Sequence, residues 1–135
     1  SCINERAIRY ADVLLLLAES YLRGKQDLPM AIGYLNQIRE RANLNPYSGA
    51  QTYEAVFNDL ERQRAIEFFV EGERFYDLRR WGLLEKTMNE YFAIERTRFD
   101  WFNDARFTAG RDEYFPISQP QMNYSKGNYT QNPGY

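Results

Sequence analysis

The spacing of apolar residues in the first third of the chain predicts two amphipathic helices. One runs from Ala7 to Leu22, with Gly24 as its C-cap, and the other starts near Pro29, with Asp27 or Leu28 at its cap. A short turn between them predicts an antiparallel hairpin. The apolar stripes consist of Ile8, Ala11, Leu15, Ala18 and Leu22, flanked by Leu14, Leu17 and Tyr21, and of Ala31, Leu35, Ile38 and Ala42.

This hairpin partly follows the tetratricopeptide pattern. Leu14, Leu17, Ala18 and Tyr21 fit its large, large, small and aromatic positions, and Tyr34 lies where a further aromatic residue belongs. A single repeat cannot bury both of its faces. We therefore expect additional helices to pack against it.

The middle of the chain predicts a long central helix and the end predicts an extended tail. Thr52 is a candidate N-cap for a helix from Tyr53 to about Trp81, in which Gly72 indicates a bend or the close approach of another backbone. A weaker helix follows over 83–95, and beyond 114 prolines and glycines disfavour regular structure. The predicted fold class is all-α: a tetratricopeptide-like hairpin, a long central helix, irregular loops and an extended C-terminal tail, in one domain over residues 1–135.

Charged residues alternate with apolar ones between Leu60 and Gly82. Four opposite-charge pairs lie three residues apart, which is within reach on one helix face. One interpretation is a structural ion-pair lattice in which Arg74 is buried between Glu71 and Asp77. The alternative makes Glu67, Glu71 and Asp77 the carboxylates of a glycosidase, but an arginine beside each one suits a counter-ion better than a general acid. The lattice comprises Arg64, Glu67, Glu71, Arg74, Asp77 and Arg80.

The composition of the chain excludes several classes of binding and catalytic site. The 135 residues carry a net charge of −2 with a pI near 5.3, which gives no general attraction for nucleic acid. The chain has no histidine and one cysteine, so an imidazole-based triad and a Cys-rich zinc site are excluded. The sequence predicts no catalytic residue, metal or cofactor. The longest apolar run, Val13 to Ala18, is too short to span a bilayer.

A stretch of aromatic and polar residues from Tyr91 to Tyr114 has no helical period. Exposed rings beside hydrogen-bonding groups are typical of ligand contacts on loops, although the same rings would also fill a core. Trp101 is the strongest candidate because the indole has the largest flat face and an N–H donor. The predicted ligand-binding residues are Trp101, Tyr91, Phe99, Arg98 and Asn103.

Four segments together resemble the C-terminal part of the SusD/RagB family of outer-membrane nutrient-binding lipoproteins. They are Arg9–Leu15 continuing to Ala18-Glu19, Tyr34–Arg39 followed by Arg41-Ala42, Arg64–Glu67 with Glu71–Gly82, and Phe115–Ile117 with Thr130–Tyr135. Ser118 and Glu73 depart from the usual family pattern. The order and spacing of the segments hold over nearly the whole chain.

The resemblance implies a helical binding protein without catalysis, of which this chain is a fragment. It implies cell-surface capture of an oligo- or polysaccharide for a SusC-like TonB-dependent transporter, with membrane association through a lipid anchor absent from this chain. It implies no nucleic-acid partner. The competing hypotheses are a tetratricopeptide-type adaptor that binds a peptide and the carboxylate glycosidase.

Overall fold

The computed structural model describes residues 8–135, and its regular elements there are helical, with no β-strand. The predicted all-α class is confirmed. Ala7, the predicted start of the first helix, and Cys2 lie outside the described residues. The six α-helices are α1 (Tyr10–Ser20), α2 (Leu28–Arg41), α3 (Tyr53–Glu67), α4 (Glu73–Trp81), α5 (Leu84–Glu95) and α6 (Gln119–Tyr124).

The chain forms two compact units, one ending at Arg74 and the other beginning at Phe75. That residues 1–135 fold as one domain stays a prediction. Among residues 8–135, none of the helices combines the length and the apolar character needed to cross a lipid bilayer.

The first unit contains the predicted hairpin of α1 and α2. Its helices are antiparallel, since Tyr10 at the start of α1 and Arg41 at the end of α2 line the same cleft. Gly24 is not the C-cap, because the chain continues as a π-helical turn over Tyr21–Lys25 and Gln26 then takes a left-handed conformation with φ 53°. The Asp27 carboxylate caps α2 by accepting from the Met30 N–H at 3.1 Å.

The core of the first unit lies among α1, α2 and α3. Helices α1 and α2 contribute side chains from their predicted apolar stripes, and α3 contributes Val56 and Leu60. The rings of Tyr21 and Tyr34 stack at 5.7 Å across the hairpin. Ala42 is exposed beyond the end of α2 rather than part of its apolar stripe. Thr52 caps α3 as predicted, because its hydroxyl accepts from the Ala55 N–H. The largest fully buried side chains are Leu15, Leu22, Leu35, Leu60 and Val56.

The predicted continuous helix from Tyr53 to Trp81 is wrong. Helix α3 ends at Glu67, and α4 starts six residues later at Glu73. Val70 and Gly72 in the intervening turn have φ of 63° and 86°, which lie in the left-handed region and interrupt a right-handed helix. A Cβ on Gly72 would meet no atom within 4 Å, so the glycine serves the bend and not a close backbone approach.

The second unit is built around a small core between α4, α5 and the loop after α5. Leu78, Leu84 and Phe107 are buried there, with Phe92 among the half-buried side chains packed against them. The Asn89 side chain fixes the loop by donating to the Phe107 carbonyl at 3.1 Å and accepting from its N–H at 2.9 Å. This pair of hydrogen bonds holds the loop that carries the candidate site.

The tail is not extended throughout, because it contains the short helix α6. Pro120 lies in the first turn of that helix, where a missing N–H costs no hydrogen bond. The chain then returns on itself, since the Gln131 amide accepts from the Ile117 N–H at 2.7 Å and donates to its carbonyl at 2.8 Å.

Candidate ligand-binding site

An exposed pair of stacked rings lies in the loop after α5. Phe99 has an extended backbone and precedes a single 3₁₀ turn, Asp100–Phe102, which returns Trp101 onto its ring. The two ring centroids are 4.6 Å apart with 19° between the planes, and Trp101 is 76% exposed. One face of the indole is therefore stacked on Phe99, while the rest is accessible to a flat ligand.

The remaining rings of this loop connect the pair to the core. Phe102 lies 5.9 Å from Phe92 and meets the edge of Tyr91 at 6.1 Å, while Phe99 lies 6.5 Å from Phe102. Phe92 and Phe102 are half-buried, whereas Tyr91 and Phe99 are nearly half exposed. The inner rings pack and the outer rings face solvent, so the cluster holds Trp101 on a supported platform.

The two predicted polar residues lie in different surroundings. Arg98 turns back to α5, where its guanidinium contacts the Glu95 carboxylate at 3.3 Å. Asn103 is exposed and lines a polar cleft of about 410 Å³. The other residues lining this cleft are Arg96, Asp104, Arg106, Thr108 and Arg111.

Two of the cleft arginines are held in place by hydrogen bonds. Arg96 donates from Nε to the Phe102 carbonyl at 3.1 Å and from Nη2 to the Ala105 carbonyl. Arg111 donates to Asp112 at 2.7 and 3.1 Å. Asp112 in turn accepts from the Thr108 N–H at 2.6 Å. Arg96 and Arg111 are thus fixed donors of a cleft whose residue Asn103 lies two positions after the exposed indole.

The Arg111–Asp112 pair also sets the local electrostatics. The hydrogen bond from Arg111 lowers the pKa of the Asp112 carboxyl and outweighs the desolvation that would raise it, and the Thr108 N–H lowers it further. The same hydrogen bond raises the pKa of Arg111 above its ordinary value. Both groups are therefore charged at neutral pH.

The predicted ion-pair residues lie elsewhere and mostly have other partners. Only the Asp77–Arg80 pair of the four predicted pairs is found, at 2.9 Å, in the second unit. Arg74 contacts Glu61 at 2.7 Å and its side chain is half-buried, so its predicted pairing with Glu71 or Asp77 is wrong. The break between α3 and α4 removes the helical spacing on which that prediction depended.

In the first unit the carboxylates of this group are bound by arginines from distant helices. Glu67 accepts from Arg9 at 2.9 Å and from Arg41 at 2.7 Å, and Glu71 accepts from Arg9 at 2.8 Å. These hydrogen bonds raise the pKa of Arg9, the one to Glu71 most. The buried Arg64 side chain reaches Asp12 in α1 at 2.8 Å. That the six residues form a structural lattice stays a prediction.

Sequence reasoning missed the cleft arginines as possible ligand contacts. Their signal was the alternation of arginines with aromatic residues between Tyr91 and Tyr114, from which only Arg98 was selected. The partners Arg9 and Asp12 were also missed, because they lie more than fifty residues from Glu67, Glu71 and Arg64. Within residues 8–135 no three His, Cys, Asp or Glu side chains are grouped to hold a metal ion.

Comparison with known proteins identifies the class of this helical protein. The model of the SusD family matches residues 1–135. A crystal structure of a SusD superfamily protein from Bacteroides vulgatus superposes with a TM-score of 0.80 at 52% sequence identity, covering 100% of this chain and 28% of that chain. The chain belongs to the SusD family.

Two curated relatives carry more specific names. SusD-like protein P2 of Formosa agariphila is 30% identical over 100% of this chain and 26% of its own length. The starch-binding protein SusD of Bacteroides thetaiotaomicron is 31% identical over 94% of this chain and 21% of its own length. The chain thus spans about a quarter of the length of these relatives.

Proposed function

We propose that this chain is part of a cell-surface protein that captures glycans as nutrients. Two observations support the proposal: membership of the SusD family, which includes a starch-binding protein, and the exposed Trp101 platform two residues before Asn103, which lines a polar cleft. The platform carries the argument for this segment, because a sugar ring offers an apolar C–H face and a rim of hydroxyl groups.

The proposed binding mode follows from the geometry of the loop. A sugar ring stacks on the free face of Trp101, which Phe99 supports from behind. Asn103 supplies amide donors and an acceptor for hydroxyl groups, and the Tyr91 hydroxyl extends the polar rim, whereas Arg98 stays paired with Glu95. Such a surface recognises its ligand without changing it, because it offers stacking and hydrogen bonds but no paired acid and nucleophile.

The carboxylates of the ion-pair group favour binding over hydrolysis. Glu67 accepts hydrogen bonds from two guanidinium groups and Glu71 from one, so they are occupied as counter-ions. A general acid must present a free carboxyl group to the glycosidic oxygen, whereas both carboxylate oxygens of Glu67 and of Glu71 already accept hydrogen bonds from arginines. We therefore propose a binding protein and not a glycosidase.

The proposed partner is a SusC-like TonB-dependent transporter in the outer membrane. Family membership supports this partner and a lipid anchor on the cell surface. In this arrangement the captured glycan passes from the binding protein to the transporter. Co-purification of the intact protein with a transporter of that class would test the partnership, and recovery of the protein alone from gently solubilised membranes would contradict it.

The function is tested by measuring what the intact protein retains. We expect calorimetric binding of at least one oligosaccharide in a panel of neutral and acidic glycans, and no release of reducing sugar from any of them. Retention of peptides without any glycan would instead favour an adaptor. Sugar release that disappears on Glu67→Gln or Glu71→Gln would favour a glycosidase.

A further inference from the structure

We infer that the polar cleft lined by Asn103 and the residues after it, which follow Trp101 in sequence, binds an oxyanion carried by the glycan, a uronate carboxylate or a sulfate ester. This inference rests on the proposed glycan-binding function and names a chemical class for its ligand. It starts from three arginines that line one cleft of about 410 Å³: Arg96, Arg106 and Arg111.

The cleft presents guanidinium donors that are already oriented. Arg96 uses Nε and Nη2 on two backbone carbonyls, and Arg111 uses Nε and Nη2 on Asp112, which leaves the Nη1 groups of both for a ligand. Their positions are fixed before binding, so little side-chain entropy is lost when a ligand arrives. Guanidinium groups match the oxygens of a carboxylate or sulfate and form charge-assisted hydrogen bonds.

Arg106 is the residue with the most donors to offer. Within residues 8–135 no hydrogen bond or ion pair holds its guanidinium, and its side chain is exposed at the cleft. All five of its N–H groups are open to a ligand. An oxyanion in the cleft would be bound by Arg106 and would also meet the guanidinium groups of Arg96 and Arg111.

The charge balance of the cleft favours an anion. The residues that line the cleft include three arginines and one carboxylate, Asp104, while Asp112 outside the lining pairs with Arg111. Arg96 and Arg106 therefore outnumber Asp104 among the remaining charges of the lining. Asp112 is occupied by Arg111 and the Thr108 N–H. Asp104 has opposite effects on neutral and acidic glycans. Its carboxylate accepts a hydrogen bond from the hydroxyl of a neutral sugar but repels an oxyanion.

Calorimetry on the intact protein tests the inference with matched ligands. The probes are a uronate tetrasaccharide, the same tetrasaccharide with its carboxyl groups reduced to alcohols, and a sulfated oligosaccharide with its desulfated form. We expect an acidic member to bind at least about tenfold more tightly than its uncharged counterpart. Tighter binding of the uronate than of its reduced form would identify a carboxylate as the bound oxyanion. Tighter binding of the sulfated form than of its desulfated form would identify a sulfate ester.

Variants locate the effect in the cleft. Arg106→Gln should weaken binding of the acidic ligand by about tenfold and leave binding of its uncharged counterpart within about twofold. Asp104→Asn should strengthen acidic binding. Lys86→Gln changes the net charge equally on the exposed side of α5 and should have no effect beyond general electrostatics, so it is the matched control.

The outcomes separate this inference from the proposed function. Binding of the uncharged forms alone, or weaker binding in Asp104→Asn with no effect of Arg106→Gln, overturns the oxyanion site while glycan capture stands. Equal losses in Arg106→Gln and Lys86→Gln overturn it as well, since they show a non-specific charge effect. Binding of neither charged nor uncharged oligosaccharides overturns both.

Discussion

Replacement of Arg64 by Ala should destabilise the first unit strongly. The Arg64 side chain is 3% exposed, and it joins α3 to Asp12 in α1 at 2.8 Å while its guanidinium lies 4.9 Å from the centre of the Phe68 ring. Breaking a buried ion pair costs about 3–5 kcal/mol because the remaining charge stays buried. The Asp12 side chain is 21% exposed and is partly hydrated once alone, so we expect the lower end, about 3 kcal/mol.

The matched control is Arg41→Ala in the same unit. Arg41 also binds a carboxylate, Glu67, at 2.7 Å, but its side chain is 63% exposed and Glu67 keeps its second partner Arg9. An exposed pair of this kind contributes at most about 1 kcal/mol. The two variants remove the same functional group, so burial accounts for the expected difference.

Native-state hydrogen exchange on the intact protein measures this difference locally. Protected amides in α1 and α3 report the free energy of opening of the first unit without requiring the whole protein to unfold in one step. We expect that free energy to fall by about 3 kcal/mol in Arg64→Ala and by less than about 1 kcal/mol in Arg41→Ala. Equal losses in the two variants, or a loss below about 0.5 kcal/mol in Arg64→Ala, would refute the reasoning from burial.

Two other predictions concern the turn between α3 and α4 and the charge pair at the cleft. Gly72→Ala should destabilise the turn by about 1 kcal/mol, because φ of 86° disfavours an L side chain although space is free. Gly33→Ala in α2, where an added Cβ also meets no atom within 4 Å, should instead stabilise the helix by about 0.5–1 kcal/mol. Hydrogen exchange on both variants measures the two changes in opening free energy. Changes of the same sign in both variants would contradict the prediction. An NMR titration should give Asp112 a pKa below its ordinary value that rises in Arg111→Gln. Since the folded-state pKa is lowered, the pair's stabilisation is present at neutral pH and is lost as pH falls through that pKa; an unchanged Asp112 pKa in the variant would contradict its assignment to Arg111.

Local sequence signals predicted the helical class, the hairpin, the N-cap at Thr52 and two candidates for the cap of α2, of which Asp27 is the one observed. Those features depend on residues a few positions apart. They did not predict the partners of Glu67 or Arg74. The contacts of Glu67 reach residues far away in sequence, and the Arg74–Glu61 contact joins two separate helices, α3 and α4, so a spacing rule for one continuous helix cannot represent them. The break after Glu67 was missed for a related reason: Val70 is an unfavourable residue for the left-handed conformation that it adopts.

In the aromatic loop, too, the sequence predicted the kind of residues that are exposed but not which of them lie together. Its composition indicated exposed rings beside polar groups, and the stacked Phe99–Trp101 pair has that arrangement. The sequence could not order the polar groups, because Arg98 folds back to Glu95 while Asn103 reaches the cleft. In an irregular loop, the directions of side chains a few positions apart depend on the backbone turns between them. Amino-acid composition does not predict those turns.

The proposed role of Trp101 as a sugar-binding platform is tested by calorimetry on matched variants. The intact protein and its Trp101→Ala and Tyr124→Ala variants are titrated with an oligosaccharide that the unmodified protein binds. Tyr124 is 86% exposed in the same unit and serves as the control for loss of an exposed ring. We expect Trp101→Ala to lose at least tenfold in affinity, about 1.4 kcal/mol, with unchanged thermal stability, and Tyr124→Ala to bind normally. Unchanged affinity in Trp101→Ala would remove Trp101 from the site, and a parallel loss of stability would mark it as a packing residue.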